Sequence, residues 1–102
     1  MPLVRQALDR LDNELRLCAG LGCRALTLIH GYGSSGAGGA IREAVRQQLL
    51  FWQQQGRIRA YIPGEQFEGR SRRGRQLLRA YPFLADHHDL DRANPGITVV
   101  LL

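Results

Sequence analysis

A length of 102 residues, a mass of 11.4 kDa and a formal net charge of +5 describe one small globular domain and exclude two independent ones. The apolar stretches are far shorter than the roughly 20 residues of a membrane-spanning helix, and no signal segment is recognisable, so we expect a cytoplasmic protein without a membrane partner. Because the chain contains no Lys, its 14 cationic side chains are all Arg, which excludes lysine-dependent chemistry and favours phosphate or nucleic acid, although a high-GC coding sequence also enriches Arg.

The N-terminal segment is predicted to be an amphipathic helix over residues 4–18. Its apolar residues recur at alternating spacings of four and three, which places them on one face. On the opposite face Arg5 and Asp9 stand four residues apart, as do Asp12 and Arg16. Each pair can therefore meet across one turn and stabilise the helix by a few tenths of a kcal/mol.

Two strands and a second helix are predicted next. Residues 25–29 form an apolar run of strand length, and residues 40–55 carry apolar side chains at helical spacing. Residues 57–62 alternate strictly, with Ile58, Ala60 and Ile62 on one face. This alternation predicts a half-exposed strand with an Arg-bearing face.

The last third of the chain is predicted to be mostly irregular. The basic stretch 70–75 is expected to be a mobile loop, residues 76–81 a short helix, and residues 86–91 a polar connection. A turn signal, Asn94-Pro95-Gly96, precedes the β-branched run 97–102, which predicts a buried strand.

These elements predict an α/β fold with the order α-β-α-β-(insertion)-β. A strand-helix-strand unit of this length favours a right-handed crossover and parallel neighbours, so we expect a small mixed sheet. Three strands are few for two amphipathic helices, and only three residues precede the first helix, so the first edge strand is expected to be missing. An edge exposed in this way predicts a homodimer formed by strand pairing.

A glycine-rich segment between the first predicted strand and the second helix is the candidate binding site. Five of the ten residues from 30 to 39 are Gly, which exposes backbone N–H groups beside the positive end of a helix dipole, a geometry that binds anions. Arg42 and Arg46 extend the positive surface along the helix, and Tyr32 could stack on a base. The predicted nucleic-acid contacts are Gly31, Tyr32, Gly33, Ser34, Ser35, Gly36, Arg42 and Arg46.

The same residues resemble the second signature of the Smr domain, the small MutS-related family. In that family an apolar strand leads into His-Gly-x-Gly and a Leu/Ile-Arg pair opens the next helix; here these are 28–33 and Ile41-Arg42, and the run 96–101 is similar to the family's closing strand. The resemblance covers residues 1–102 as a single domain with an insertion at about 64–95, and it implies a two-layer α/β fold. It implies binding of DNA or RNA through His30, Gly31, Gly33 and Arg42. Because some members nick DNA or cleave RNA, it also implies endonuclease activity, with DNA repair as the associated process.

The chain departs from the family at its start. The family's first signature, a strand that reads Leu-Asp-x-His-Gly, is absent, and it would lie where this chain has only Met1 and Pro2. We hypothesise that the natural product begins upstream and that Met1 is internal to it. An intact mass of 11.4 kDa for the native protein would contradict this hypothesis.

His30 is the candidate catalytic residue, because phosphodiester cleavage requires a proton-transfer group near positive charge. Its replacement by Ala is expected to abolish cleavage and to leave weak binding. No second proton-transfer group is evident, and ordering of the loop by hydrogen bonds is an equally weighted role for His30. A divalent metal is the candidate cofactor, but no metal site is predicted: adjacent imidazoles usually diverge, so His87, His88 and Asp89 are expected to lie in a solvated loop.

Two other functions stay open. Gly31-x-Gly33-x-x-Gly36 also satisfies the dinucleotide fingerprint of a Rossmann-type nucleotide-binding module, with Glu65 as its ribose-binding acid. A non-catalytic protein-interaction domain with an Arg-rich surface is the third candidate. A second surface for phosphate contacts is predicted from the stretch 70–75 together with Arg57, Arg59 and Arg79.

Overall fold

The computed structural model describes residues 2–31 and 36–102. The described residues form three α-helices and three strands: α1 (Pro2–Gly20), β1 (Ala25–Ile29), α2 (Gly36–Gln54), β2 (Ala60–Pro63), α3 (Arg72–Ala80) and β3 (Ile97–Leu101). Two short 3-10 helices, Gly64–Gln66 and Pro82–Asp86, flank α3. The predicted α/β class and element order are confirmed. Within these ranges, no helix combines the length and the apolar character needed to cross a bilayer.

The three strands form one sheet in the order β1-β3-β2, and both pairings are antiparallel. Ile29 pairs with Ile97 on one side of β3, and Pro63 pairs with Thr98 on the other. β1 and β2 are therefore parallel to each other but are separated by the strand that comes last in sequence. The predicted parallel neighbours, and with them the mixed sheet, are wrong, because the β1-α2-β2 unit leaves one strand position that β3 fills.

β3 lies at the centre of the core, since all five of its residues are buried. Val100 packs beneath α1 and α2, in a cluster with Leu11, Leu15, Leu28, Val45, Leu49, Trp52 and Ile58. Ile97, Val99 and Leu101 pack on the opposite face, in a cluster with Ile62, Phe67 and Leu84. α1 and α2 thus form the predicted helical layer, and the 64–95 segment, which contains α3, covers the second face of the sheet.

The residues predicted as a half-exposed strand, 57–62, differ from that prediction. Ile58 packs beneath α1 and α2, whereas Ile62 packs on the opposite face of the sheet. The two side chains lie on opposite faces because Ile58 precedes the regular strand, which begins only at Ala60. The other face is not open to solvent either, since Tyr61 is partly buried against the helical layer.

Ion pairs on α1 follow the predicted spacing. Arg5 lies 3.5 Å from Asp9, and Arg16 lies 3.2 Å from Asp12. Asp12 also pairs with Arg57 at 2.6 Å, a contact that sequence spacing does not reveal. Arg57 is therefore engaged with α1 of the helical layer, so its predicted place in a second phosphate-contacting surface has no support from the structure.

The basic stretch 70–75 contains the start of α3 and is not a loop. Ser71 caps the helix, since its Oγ accepts a hydrogen bond from the N–H of Gly74 at 2.9 Å. Gly74 approaches the carbonyl oxygen of Glu68 so closely that a Cβ would overlap it, which explains the glycine. The mobile-loop prediction is wrong because the charge pattern conceals a capping residue and a close-packed glycine.

β1 and β2 form the two edges of the sheet. Among the described residues, β1 pairs with β3 alone, and the Ile29 residue at its end is 85% exposed. This is the edge at which a homodimer was expected, and the homodimer stays a prediction.

Candidate functional site

The end of β1, the first turns of α2 and the segment before β3 meet at one end of the sheet. The N–H groups of His30 and Gly31 both donate to the carbonyl oxygen of Gly96 at 3.0 Å. The Gly31 N–H is therefore occupied within the protein, and the geometry gives no support to the prediction that this amide binds a phosphate. Gly36 is the first residue of α2. The remaining predicted loop contacts lie outside the described residues: Tyr32, Gly33, Ser34 and Ser35.

His30 is fixed by hydrogen bonds at both ring nitrogens. Nδ1 lies 2.7 Å from the Gly31 carbonyl oxygen, and Nε2 lies 2.8 Å from Thr98 Oγ1. Because a carbonyl only accepts, this network assigns the proton to Nδ1 and makes Nε2 the acceptor of the Thr98 hydroxyl. Burial lowers the pKa of His30; the bond to Gly31 opposes this, and the charges of Arg46 and Arg42 lower it further. A neutral imidazole thus orders the turn after β1.

Thr98 connects His30 to an ion pair on the helical side of the sheet. Arg46 Nε donates to Thr98 Oγ1 at 3.2 Å. Arg46 Nη1 and Nη2 donate to the two carboxylate oxygens of Glu65 at 3.0 and 2.7 Å, and Nη2 also reaches two backbone carbonyls near the start of β3. Burial opposes ionisation of Glu65, but the bonds from Arg46 hold the pKa of this carboxyl below its usual value.

The network gives Arg46 and Glu65 structural roles. The Arg46 side chain is 19% exposed and its donors are engaged with protein acceptors, so the predicted contact with nucleic acid has no support at Arg46. The Glu65 carboxylate is occupied by Arg46, and the strands of the described sheet pair antiparallel. Both findings argue against a Rossmann-type module, which needs parallel neighbours and a free ribose-binding acid.

Arg42 lies one turn before Arg46 on α2 and has a different environment. It lines an open depression of about 940 Å³, and the other lining residues come from the segment before β3: His88, Asp89, Arg92, Ala93, Asn94 and Pro95. In residues 2–31 and 36–102, neither Arg42 nor Arg92 forms an ion pair. Two arginines from distant parts of the chain therefore line one depression, and guanidinium groups suit phosphate oxygens.

His87, His88 and Asp89 form a cluster, although the sequence predicted a solvated loop. The two imidazoles stack with centroids 5.4 Å apart and an interplanar angle of 14°. One donor atom from each residue lies within 4.8 Å of the others. His87 is held inward by Thr27 Oγ1, 2.8 Å from its Nε2, and by a T-shaped contact with the Phe67 ring. Burial lowers the pKa of His87, so this ring is neutral near pH 7.

The comparison with protein-family models finds a match to the Smr domain over residues 3–73. The matched range contains α1, β1, α2 and β2, and therefore His30 and Arg42. It ends within the first turn of α3, before the cluster of His87, His88 and Asp89. No curated protein and no solved structure matches the chain significantly.

Proposed function

Because the chain belongs to the Smr domain family, whose members are nucleic-acid-binding and nuclease-like domains, we propose that it binds DNA or RNA through the depression lined by Arg42 and Arg92. The observation that carries this proposal is the pair of arginines, Arg42 and Arg92, that line an open depression without an ion-pair partner among the described residues. Guanidinium groups match phosphate oxygens in a bidentate geometry. The net charge of +5 attracts a polyanion toward the whole domain.

The arginines of α3 provide a second surface in this proposal. The side chains of Arg72, Arg75 and Arg79 are exposed, and α3 contains no acidic residue. Arg73 is partly committed, since its Nη2 donates to the Tyr61 carbonyl oxygen at 2.8 Å. Contacts of exposed arginines with the phosphate backbone add affinity without sequence preference.

We also infer that residues 1–102 form one Smr-like domain in which residues 64–95 are an insertion. Phe67 and Leu84 from this segment are 1% exposed and close the cluster over Val99. Removal of the segment would expose the second face of the sheet. Limited proteolysis that releases the segment while α1, α2 and the sheet stay folded would contradict this inference.

Cleavage is a narrower proposal than binding, and the geometry supports it less. Both ring nitrogens of His30 are hydrogen-bonded, Nδ1 to Gly31 and Nε2 to Thr98. Acid or base catalysis at His30 would require one of these bonds to open. The arrangement instead supports a role for His30 in ordering the loop, so we propose binding as the function and treat cleavage as a separate readout.

The test measures fluorescence anisotropy with duplex DNA, branched DNA and hairpin RNA at two salt concentrations. We expect affinity to fall steeply with salt, because phosphate contacts release counterions. Arg42→Ala should weaken binding, and the control Arg5→Ala, at an exposed arginine of α1 paired with Asp9, should not. Absence of binding to all three ligands, or an equal loss in both variants, would contradict the proposal. Cleavage of the same ligands is scored with and without divalent metal.

A further inference from the structure

Asp89 is a mostly buried carboxylate whose neighbours within ion-pair distance are two histidines. Its side chain is 11% exposed, and its Oδ2 lies 3.2 Å from His88 Nε2 and 3.9 Å from His87 Nδ1. In the described part of the chain no arginine lies within ion-pair distance of it. Burial of an ionised carboxylate is costly unless a cation or hydrogen bonds compensate it. The cluster therefore has a carboxylate that a bound cation would stabilise.

The donor set fits a particular class of cation. Two imidazoles and one carboxylate suit Zn²⁺ and similar divalent transition metals, whereas Mg²⁺ and Ca²⁺ prefer oxygen ligands alone. Two ligand atoms on a tetrahedral Zn²⁺ lie about 3.3 Å apart, close to the 3.2 Å between His88 Nε2 and Asp89 Oδ2. We propose that His87, His88 and Asp89 bind a divalent transition metal.

His87 is already oriented as a ligand. Its Nδ1 accepts a hydrogen bond from the Asp89 N–H at 3.1 Å, so the ring proton lies on Nε2, which donates to Thr27 Oγ1 at 2.8 Å. Metal-binding imidazoles usually donate their second N–H to such a partner, which fixes the tautomer and the ring orientation. The metal takes the Nδ1 lone pair in place of the Asp89 N–H.

His88 supplies the adjustable ligand. The separations among the three donor atoms reach 4.8 Å, wider than the roughly 4.2 Å that two ligands on opposite sides of one ion can span. The His88 side chain is 88% exposed, so a rotation about its own bonds closes the difference without a change in the core. The two less exposed residues, His87 and Asp89, form the rigid part of the site.

Three protein ligands leave at least one coordination position for another ligand. His88 and Asp89 line the same depression as Arg42 and Arg92, so this position is available to an oxygen of a phosphate bound there. That last step rests on the proposed function; the metal site itself does not.

The metal site is tested on the full chain without nucleic acid, by titration with Co²⁺ and Zn²⁺ followed by visible absorption and calorimetry. We expect one equivalent to bind, with Co²⁺ bands from nitrogen and oxygen ligands. His88→Ala and Asp89→Asn should each weaken binding at least about tenfold. The matched control is Asp86→Asn, which removes an exposed carboxylate outside the cluster and should leave the affinity unchanged.

Three results would overturn this site. They are the absence of binding to the wild-type protein, an unchanged affinity in both His88→Ala and Asp89→Asn, and a thiolate-to-cobalt charge-transfer band, which would place the ion on Cys18 or Cys23. Thr27→Val, which removes the partner of His87 Nε2, should weaken the affinity about tenfold and keep the ligand spectrum. Because no nucleic acid is present, failure here is distinguishable from failure of the Arg42 binding experiment.

Discussion

Arg42 and Arg46 lie one turn apart on α2 and have opposite environments. Arg46 is bound at both ends of its guanidinium group, by Glu65 and by Thr98. Arg42 lines an open depression and forms no ion pair with the residues that the structure describes. Two identical side chains at helical spacing are thus divided between the stability of the fold and the proposed binding surface, according to whether a buried acceptor lies within reach.

The largest effect should come from Arg46→Ala, which we expect to destabilise the domain by about 2 kcal/mol. The variant leaves Glu65 and Thr98 without their donor; the cost is below the 3–5 kcal/mol of a fully buried pair because the Glu65 side chain is 37% exposed. Urea unfolding followed by circular dichroism measures it. Arg42→Ala is the control, with an expected change below about 0.5 kcal/mol. Equal destabilisation by the two variants would contradict the claim that Arg46 stabilises the fold and Arg42 does not.

Thr98→Val should destabilise by about 1–2 kcal/mol, somewhat less than Arg46→Ala. Thr98 is fully buried, and its hydroxyl is bonded to both Arg46 Nε and His30 Nε2. Valine keeps the shape of the side chain and removes the hydroxyl with both of its hydrogen bonds, so the loss reports the hydrogen bonds rather than packing. The same urea measurement applies, and Thr98→Ser, which keeps the hydroxyl, should restore the hydrogen-bonding part of the loss. Full stability in Thr98→Val would show that the two hydrogen bonds of the Thr98 hydroxyl contribute nothing to the stability of the fold.

On the binding side of the comparison, Arg42→Ala should reduce the slope of log affinity against log salt by about one unit, and the double variant Arg42→Ala with Arg92→Ala by about two. Each phosphate contact that is lost removes about one released counterion. Anisotropy titrations at several salt concentrations measure the slope. A wild-type slope in the double variant would remove the depression from the interface and leave the arginines of α3 as its candidate.

Local patterns could predict the helices and the buried last strand but not the sheet order. Hydrophobic spacing defines α1, α2 and β3 because periodicity is a local property of the chain. The pairing of Ile29 with Ile97 joins distant segments, and no local pattern specifies which strand fills the position between β1 and β2. Residues 76–81 were predicted as a short helix, but α3 begins earlier, at Arg72. Its first turn was missed because it carries arginines and because the capping residue Ser71 was not weighed.

The candidate site also contains residues that local patterns could predict and residues that they could not. The glycine-rich segment predicted His30 and Arg42 as site residues, because anion-binding chemistry leaves a local signature, and the binding role of both stays a proposal. Thr98 was missed although a signal existed: it is the single polar residue in the run 97–102, and a buried polar group needs a partner. The cluster of His87 and His88 was missed as well. His87 is held by a hydrogen bond with Thr27 in β1, and no local pattern predicts a contact between residues so far apart in the sequence.

The smallest expected effect is a pH dependence that arises from His30. Burial lowers its folded-state pKa, with Arg42 and Arg46 on α2 adding to the shift and Glu65 opposing it, whereas the unfolded value is about 6.5. Below that pH the unfolded chain binds a proton that the folded chain resists, so stability is complete above about pH 6.5 and falls as the pH falls.

His30→Gln should therefore lose less stability than the wild type between pH 7 and pH 5 in urea unfolding. Part of the slope should persist in the variant, since burial lowers the pKa of His87 as well. A variant slope equal to or steeper than that of the wild type would mean that His30 is protonated as readily in the folded protein as in the unfolded chain, which contradicts the neutral ring that bonds to Thr98.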